Sequence, residues 1–390
     1  MGMKRLTIPA CIIMCVIQLA FITTLFSQNK KIAFRKHTLT TDFIAEGVAV
    51  GDVDKDGKAD VLAGTHWFKN PRWQKNNIAE AKKFKTTEYS QSFLHFAEDV
   101  NRDGSIDLIK IAFPGEAATW LENPGKAKQL WKEHLVYRSV GNESPAMYDI
   151  DGDGNLDLLC NNSKEKKVVW VSQPKKGDTT WNEYVISSDT LRGTHQYTHG
   201  LGFGDVNLDG RSDVVYREGW WEAPEDRKQS DWTFHPANLG DDCAQMYVRD
   251  FDGDGDSDVL SSSAHNYGIW WYEQVKQGDS TSWIKHEIFK DFSQSHGLMM
   301  ADIDGDGDED FVTGKRYYAH NGHDPGANDP AVIYWFEYRP GNTPSWTPHK
   351  IDDNSGAGLN LVVADINGDQ LKDIVVSNKK GVYVFEQIRK

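Results

Sequence analysis

Two sets of side chains in this sequence have the types and spacing that chemistry requires. The first is acidic and regular. The pattern Asp-x-Asp/Asn-x-Asp-Gly-x-x-Asp places carboxylates or amides at Asp52, Asp54, Asp56 and Asp60; Asp99, Asn101, Asp103 and Asp107; and Asp149, Asp151, Asp153 and Asp157. It returns at Asp205, Asn207, Asp209 and Asp213; Asp250, Asp252, Asp254 and Asp258; Asp302, Asp304, Asp306 and Asp310; and Asp365, Asn367, Asp369 and Asp373. Oxygen atoms at alternate positions of a tight loop, with a backbone carbonyl expected near the seventh, suit Ca2+, a hard cation that prefers an oxygen cage. An EF-hand would close on a Glu at the twelfth position between helices. These loops close at the ninth between β-branched runs, so the expected role is structural, one ion clipping two strands of each repeat. The seventh loop carries Gln370 where the others have Gly.

The second set is irregular. Six residues ahead of each loop stand Glu46, Phe93, Glu143, His199, Ala244, His296 and Leu359. Glu and His are unusual at strand starts near an axis, where small or apolar residues would suffice. Segments beyond each loop add His66 and Trp67, Arg217 and Trp220, and His265 and Tyr267, then Lys315, Arg316, Tyr317, His320 and His323. Imidazole, phenol and guanidinium groups together are the equipment of acid–base chemistry on a charged substrate. A rival use of the same groups is a second metal site, in which His66, His199, His265 and His296 with Glu46 or Glu143 hold Zn2+ or a similar ion.

Both sets need a scaffold, and the repeat supplies it. The loops recur every 45 to 63 residues, the spacing of four-stranded propeller blades. A short β-type run precedes each loop (VAVG, LGFG, LVVA) and another follows (DVLAG, DVVY, DIVV). A third carries an aromatic (HWFKNP, GWWEAP, IYWFEY), and a fourth reads Trp-x-x-His or Tyr (WKEHLV, WTFHPA, WTPHKI). The seventh copy ends after its third run, at GVYVFEQIRK, and the missing fourth stands near the N-terminus as IAFRKHTL. The expected fold is an all-β, seven-bladed β-propeller of four-stranded blades. It occupies residues 28–390 as one domain, and the N-terminal strand completes the last blade so that no sheet edge is left open. His37, His134, His235, His286 and His349 belong to the fourth-strand motif and read as structural; His95 and His195 stay open.

Residues 1–27 combine a basic start (Lys4, Arg5), an apolar run from Leu6 to Phe26 and a small Ser27. This is the layout of a cleaved signal peptide, with an uncleaved anchor as the alternative. An exported, periplasmic monomer follows, with no membrane attachment after cleavage. Cys160 and Cys243 fall in non-neighbouring repeats and read as buried thiols. A net charge of −15 argues against nucleic acid or anionic lipid as partner, and seven divalent ions would offset most of it.

The loops resemble those of FG-GAP or VCBS-type calcium-looped propellers, a group that includes integrin-type heads and several bacterial polysaccharide lyases. The resemblance covers essentially the whole of residues 28–390 and implies that ligands bind on the face opposite the acidic loops. The string HGLGFGDVNLDGRSDVVYREGWWEAPED at residues 199–226 is similar to the propeller domain of aldos-2-ulose dehydratases, and the single-domain layout to propeller dehydratases and lyases of ulvan oligosaccharides. That likeness implies β-elimination on an acidic oligosaccharide. A base removes the proton α to a carboxylate, cations neutralise the carboxylate, and an acid protonates the departing oxygen. On this reading Arg217 with Lys315 or Arg316 forms the clamp. His199 or His296 is the base and Tyr267 or Tyr317 the acid. Glu46, His66, Glu143, Trp220, His265, His320 and His323 contact substrate. The runners-up are a polysaccharide lyase and a non-catalytic, lectin-like propeller.

Overall fold

The computed structural model describes residues 31–126, 129–278 and 280–389; the expected signal segment 1–27 lies outside them. Among the described residues the strands pair into seven antiparallel groups of four. One departure from expectation is that Lys132–Tyr148 serves two groups. Its first part is the outer strand beside Glu116–Glu122, and its last part is the inner strand beside Asp157–Asn162.

The second strand is a continuous buried run, as in Asp60–Ala63, Asp213–Tyr216 and Asp373–Asn378, in every group but the second, where Lys110 of Asp107–Ile111 is half-buried. The outer strands are half exposed, Ile32–Thr40 among them. The inner strands stand side by side around an axis: Ala49–Gly51 touches both Leu94–Glu98 and Leu361–Ala364. The closest approach is between Leu201–Gly204 and Gln245–Arg249, which pair in parallel, and it requires glycine. A Cβ on Gly202 would lie 2.2 Å from the Met246 carbonyl oxygen. Apolar clusters fill the space between neighbouring groups, as where Leu159 and Trp170 meet Val214, Trp221 and Trp232.

The ring closes as the sequence predicts. Ile32–Thr40 pairs antiparallel with Gly381–Arg389, with Lys36 opposite Phe385. On the inner side Asn360 stitches the join: its Oδ1 accepts the Val48 N–H at 3.2 Å, and its Nδ2 donates to Val48 O at 2.9 Å and to His95 O at 3.1 Å. His95 is one of the two histidines left open by the sequence, and it is structural. It is buried, with Nε2 2.8 Å from Ser92 Oγ. The other, His195, is exposed and takes the Tyr197 N–H on Nδ1. Cys160 and Cys243 are buried free thiols, and no helix among the described residues is long and apolar enough to cross a membrane.

The acidic loops share one hydrogen-bond plan. The closing Asp is buried and accepts a backbone N–H from the end of the third strand and, in every loop but the first, another from the second loop residue. For Asp213 these are Val206 at 3.0 Å and Ala223 at 2.8 Å; for Asp258, Phe251 at 3.1 Å and Gln274 at 2.8 Å. Burial pushes these two carboxyls up to about 6 and about 7. The first Asp accepts the N–H of the sixth residue, as Asp205 does from Gly210 at 2.8 Å. Three carboxylates of a loop gather within 4.8 Å of one another at Asp52, Asp54 and Asp60; at Asp149, Asp151 and Asp157; and at Asp250, Asp252 and Asp254. Asp60 Oδ2, Asp149 Oδ1 and Asp151 Oδ1 are buried without a partner. Basic side chains also lean on some loops, such as Lys228 on Asp151 at 3.0 Å and Arg339 on Asp306 at 2.6 Å.

Two predictions follow from these contacts. The sixth loop position is left-handed, φ 84° at Gly210 and 69° at Gln370. A side chain there costs about 1–2 kcal/mol, partly offset by the greater unfolded-state freedom of glycine. Gln370→Gly should therefore raise stability by about 0.5–1 kcal/mol, and an unchanged or lower denaturation midpoint counts against that account. Burial pushes His95 from 6.5 down to about 3, so the fold holds it neutral while the unfolded chain protonates it below 6.5. Its contribution is complete above pH 6.5 and is lost as pH falls toward 3. His95→Gln should flatten the acid limb of stability against pH, and an identical limb would reject this assignment.

Candidate functional site

Each group begins at its inner strand, so the acidic loops lie at one end of the ring and the strand starts at the other. Glu46, Glu143, His199 and His296 stand at those starts. Two of them share one buried cation. Arg316 Nη2 donates to Glu46 Oε1 at 3.0 Å, and its Nη1 lies 3.6 Å from Glu143 Oε2. Glu46 also accepts the Ser90 hydroxyl at 2.9 Å. Burial acts against the Arg316 charge, but the two carboxylates outweigh it and hold the guanidinium protonated.

The histidines continue from Glu143. Its Oε2 is 3.3 Å from His296 Nε2 and 3.7 Å from His199 Nε2. His199 Nε2 is 2.7 Å from His265 Nε2. His265 Nδ1 meets Asp324 Oδ2 at 3.2 Å, and Asp324 Oδ1 meets His320 Nδ1 at 2.9 Å. The chain of contacts runs outward from His296, which is fully enclosed, to His320, whose side chain is 42% exposed. Burial pushes His296 down to about 3, leaving it neutral, and its Nδ1 has no partner. Burial also works to raise Glu143, but the contacts from His199 and His296 outweigh it and hold the carboxyl well below the usual range.

Glu143 Oε2, His199 Nε2 and His296 Nε2 lie within 4.8 Å of one another. Two ligands of a tetrahedral ion, each about 2.1 Å from it, stand roughly 3.4 Å apart. The separations of 3.3 and 3.7 Å from Glu143 fit that spacing, whereas the 2.7 Å between His199 and His265 is a hydrogen-bond distance. The neutral His296 suits a cation as well. Glu143, His199 and His265 open on a cavity of 430 Å³ that also includes Arg316, His320 and Asp242, with His296 enclosed behind it. Tyr89, Phe93, Phe113 and Tyr197 form its aromatic wall. Larger hollows of 1230 and 640 Å³ lie elsewhere, beside Arg339 and beside Trp131, away from this cluster.

The expected clamp and acid are not assembled here. Arg316 is already held by Glu46 and Glu143. Lys315 is buried with its ammonium on Ser293 Oγ at 3.1 Å and Gln294 Oε1 at 2.6 Å, and burial pushes it down to about 8. Arg217 is engaged by the Tyr216 hydroxyl, Glu218 and the Asp241 carbonyl. Tyr267 donates to Asp329 at 3.0 Å, and Tyr317 lies under Lys380; neither lines the cavity. Trp220 is unavailable as a sugar platform because His235 covers its face at 4.2 Å. The same stacking, with a Glu contact, occupies His134, His286 and His349, and His37 likewise meets Glu386. His66 is enclosed beside Phe68, apart from the cluster, and burial pushes it down to about 4. His323 is exposed at the end of the short Ala319–Gly322 turn.

Asp324 and the wall residues Tyr89, Phe113 and Tyr197 escaped the sequence reading, which placed only Phe93 of that wall at this mouth. Asp324 stands four residues after His320 in the longest insertion, a spacing that could have marked it. Tyr89, Phe113 and Tyr197 lie in connections with no repeat pattern to set them off. Lys379 is a further unforeseen neighbour, buried with its ammonium 4.7 Å from the Tyr89 ring.

Comparison with known proteins bears on the fold. The FG-GAP-like repeat family matches residues 99–160, 149–216 and 250–313, and the FG-GAP repeat matches residues 45–77. A comparison with curated proteins finds no match. Among solved structures the chain is similar to the rhamnogalacturonan lyase YesW at 13% identity and TM-score 0.45, over 90% of this chain and 75% of that one. It is similar to the V. cholerae biofilm matrix protein Bap1 at 11% and 0.38, over 92% and 84%. A third likeness is to AofleA from Arthrobotrys oligospora at 10% and 0.41, over 83% and 91%. Scores this low leave activity open. The repeat matches coincide with the loop-bearing strand groups, and the chain belongs to the FG-GAP-repeat β-propellers.

Proposed function

We propose that this propeller is a carbohydrate-active, β-eliminating enzyme whose Glu143, His199 and His296 take a divalent cation of the zinc class. Its substrate on this reading is a uronic-acid-containing oligosaccharide of the ulvan type, from which it removes water. The observation that supports it is that ligand atoms of Glu143, His199 and His296 lie within 4.8 Å of one another, with Glu143 and His199 lining the 430 Å³ cavity and His296 enclosed behind them. A cavity that only binds sugar has no need of so many buried imidazoles.

The arrangement divides the work. With Arg316 committed to Glu46 and Glu143, neutralising the substrate carboxylate falls to the cation, which would acidify the adjacent C–H as a Lewis acid. His265 reaches the cavity beside this centre and is placed to take that proton; the electron pair becomes the new C=C bond as the neighbouring C–O bond breaks. His320, stacked on His265 at 4.4 Å, is placed to protonate the departing oxygen, which leaves as water. The aromatic wall offers a sugar ring an apolar face. We further propose Ca2+ in the acidic loops, supported by the gathered carboxylates and their orphaned oxygens. The abundance of calcium outside the cytoplasm suits an exported, periplasmic monomer.

Mild removal of calcium followed by metal analysis should leave a transition metal on the chain, lost in His199→Ala; its absence from the native protein removes the cation. Uronic-acid oligosaccharides should gain the ultraviolet absorbance of a conjugated double bond and lose the mass of one water. Shortened chains would indicate a lyase instead, and binding without product a lectin. Exhaustive chelation should lower the thermal midpoint and calcium restore it, and an indifferent midpoint counts against the loop ions. Arg316→Met leaves two buried carboxylates unpaired and should cost about 3–5 kcal/mol in denaturant unfolding; a loss below about 1 kcal/mol would show that the ion pair is not what holds them.

A further inference from the structure

Asp324 lies in the long connection between strands Asp310–Gly314 and Ile333–Arg339. This stretch passes through left-handed backbone at Tyr318, His320 and Asn321, with φ of 54°, 45° and 53°. Each such residue costs about 1–2 kcal/mol and persists only where its surroundings over-determine it. The contacts that do so converge on Asp324. One oxygen meets His320 Nδ1 at 2.9 Å; the other meets His265 Nδ1 at 3.2 Å and accepts the Gln294 amide at 2.9 Å. Gln294 is in turn buried and held by Lys315.

The hydrogen-bond chemistry then fixes protons. An ionised carboxylate can only accept, so both imidazoles present Nδ1–H to Asp324. A neutral imidazole protonated on Nδ1 carries its lone pair on Nε2, and the Nε2 of His265 is the atom that faces His199 across 2.7 Å. We propose that Asp324 is the positioning residue of the site: by accepting the Nδ1–H of His265 it holds that ring in the tautomer whose bare Nε2 faces His199. There the Nε2 accepts the His199 Nε2–H in the metal-free protein, and it is released to accept a proton from substrate when a cation holds His199 Nε2. His320 closes the carboxylate from the solvent side, and the strained turn exists to bring His320 and Asp324 over His265. The base role rests on the elimination reading above; the tautomer does not.

The test reads the two separately. In metal-free protein labelled with 15N-histidine, the two-bond 1H–15N spectrum should show His265 protonated on Nδ1, and Asp324→Ala should move its proton wholly or partly to Nε2. With oligosaccharide substrate, the same variant should lose about 10³-fold in kcat with KM little changed and its metal content retained. Asp324→Asn, which fills the same space and keeps an acceptor oxygen, should retain the Nδ1 tautomer and lose about tenfold, and it serves if the alanine variant fails to fold. An Nε2–H tautomer in the native protein, an unmoved proton in Asp324→Ala, or undiminished kcat in either variant overturns the proposal. Absence of any unsaturated product from the native protein overturns the elimination reading while the native and variant spectra still decide the placement of His265.

Discussion

The architecture depends on a buried carboxylate that accepts two backbone N–H groups. The closing aspartate of each acidic loop ties the loop to the end of the third strand, and Asp213, Asp258 and Asp310 do so with nearly the same distances. A buried acceptor of this kind tolerates no neighbour that cannot donate, so it sets the register of three strands at once. Because it sits at one end of every group, the opposite end is relieved of structural duty. There, strand starts can carry Glu and His without disturbing the repeat.

That freedom is paired with a second constraint, the burial of charge. Arg316, Glu46 and Glu143 are all nearly inaccessible; the two carboxylates hold the guanidinium charged, and Glu143 leans on His199 and His296 as well. The guanidinium links the first, third and sixth strand groups across the axis. Glu143 is therefore fixed from one side by Arg316 and presents its remaining contacts to His199 and His296. A cation there would draw His199 Nε2 out of its 2.7 Å contact with His265.

Much of the fold was legible because repetition averages out ambiguity. Seven copies of one pattern identify strands that a single copy could not, and the displaced IAFRKHTL motif foretells the closure. The shared strand Lys132–Tyr148 was missed because Gly141 and Asn142 read as a turn between two strands, and the strand runs on through them although Asn142 is left-handed, with φ 66°. The site was legible in position but not in direction. Lys315 and Arg316 are adjacent in sequence, and only the alternation of the backbone sends one toward Gln294 and the other toward the axis. Tyr267 and Tyr317 belong to the right loops but turn to Asp329 and Lys380. Asp324 was hidden by abundance: in a chain with 58 acidic residues, only its spacing four after His320 set this carboxylate apart.

The pairing of Ile32–Thr40 with Gly381–Arg389 also has a consequence in time. It is the most sequence-distant contact the chain makes, and the inner strand of that same group abuts Ala49–Gly51, next to Glu46. A chain emerging from synthesis can form its middle groups early, but the cavity stays open on one flank until residues near 390 arrive to meet residues near 32. The histidine cluster draws on the third to sixth groups and can form with them, so what waits for the C-terminal residues is the flank at Glu46, whose carbonyl accepts the Leu359 N–H at 3.1 Å.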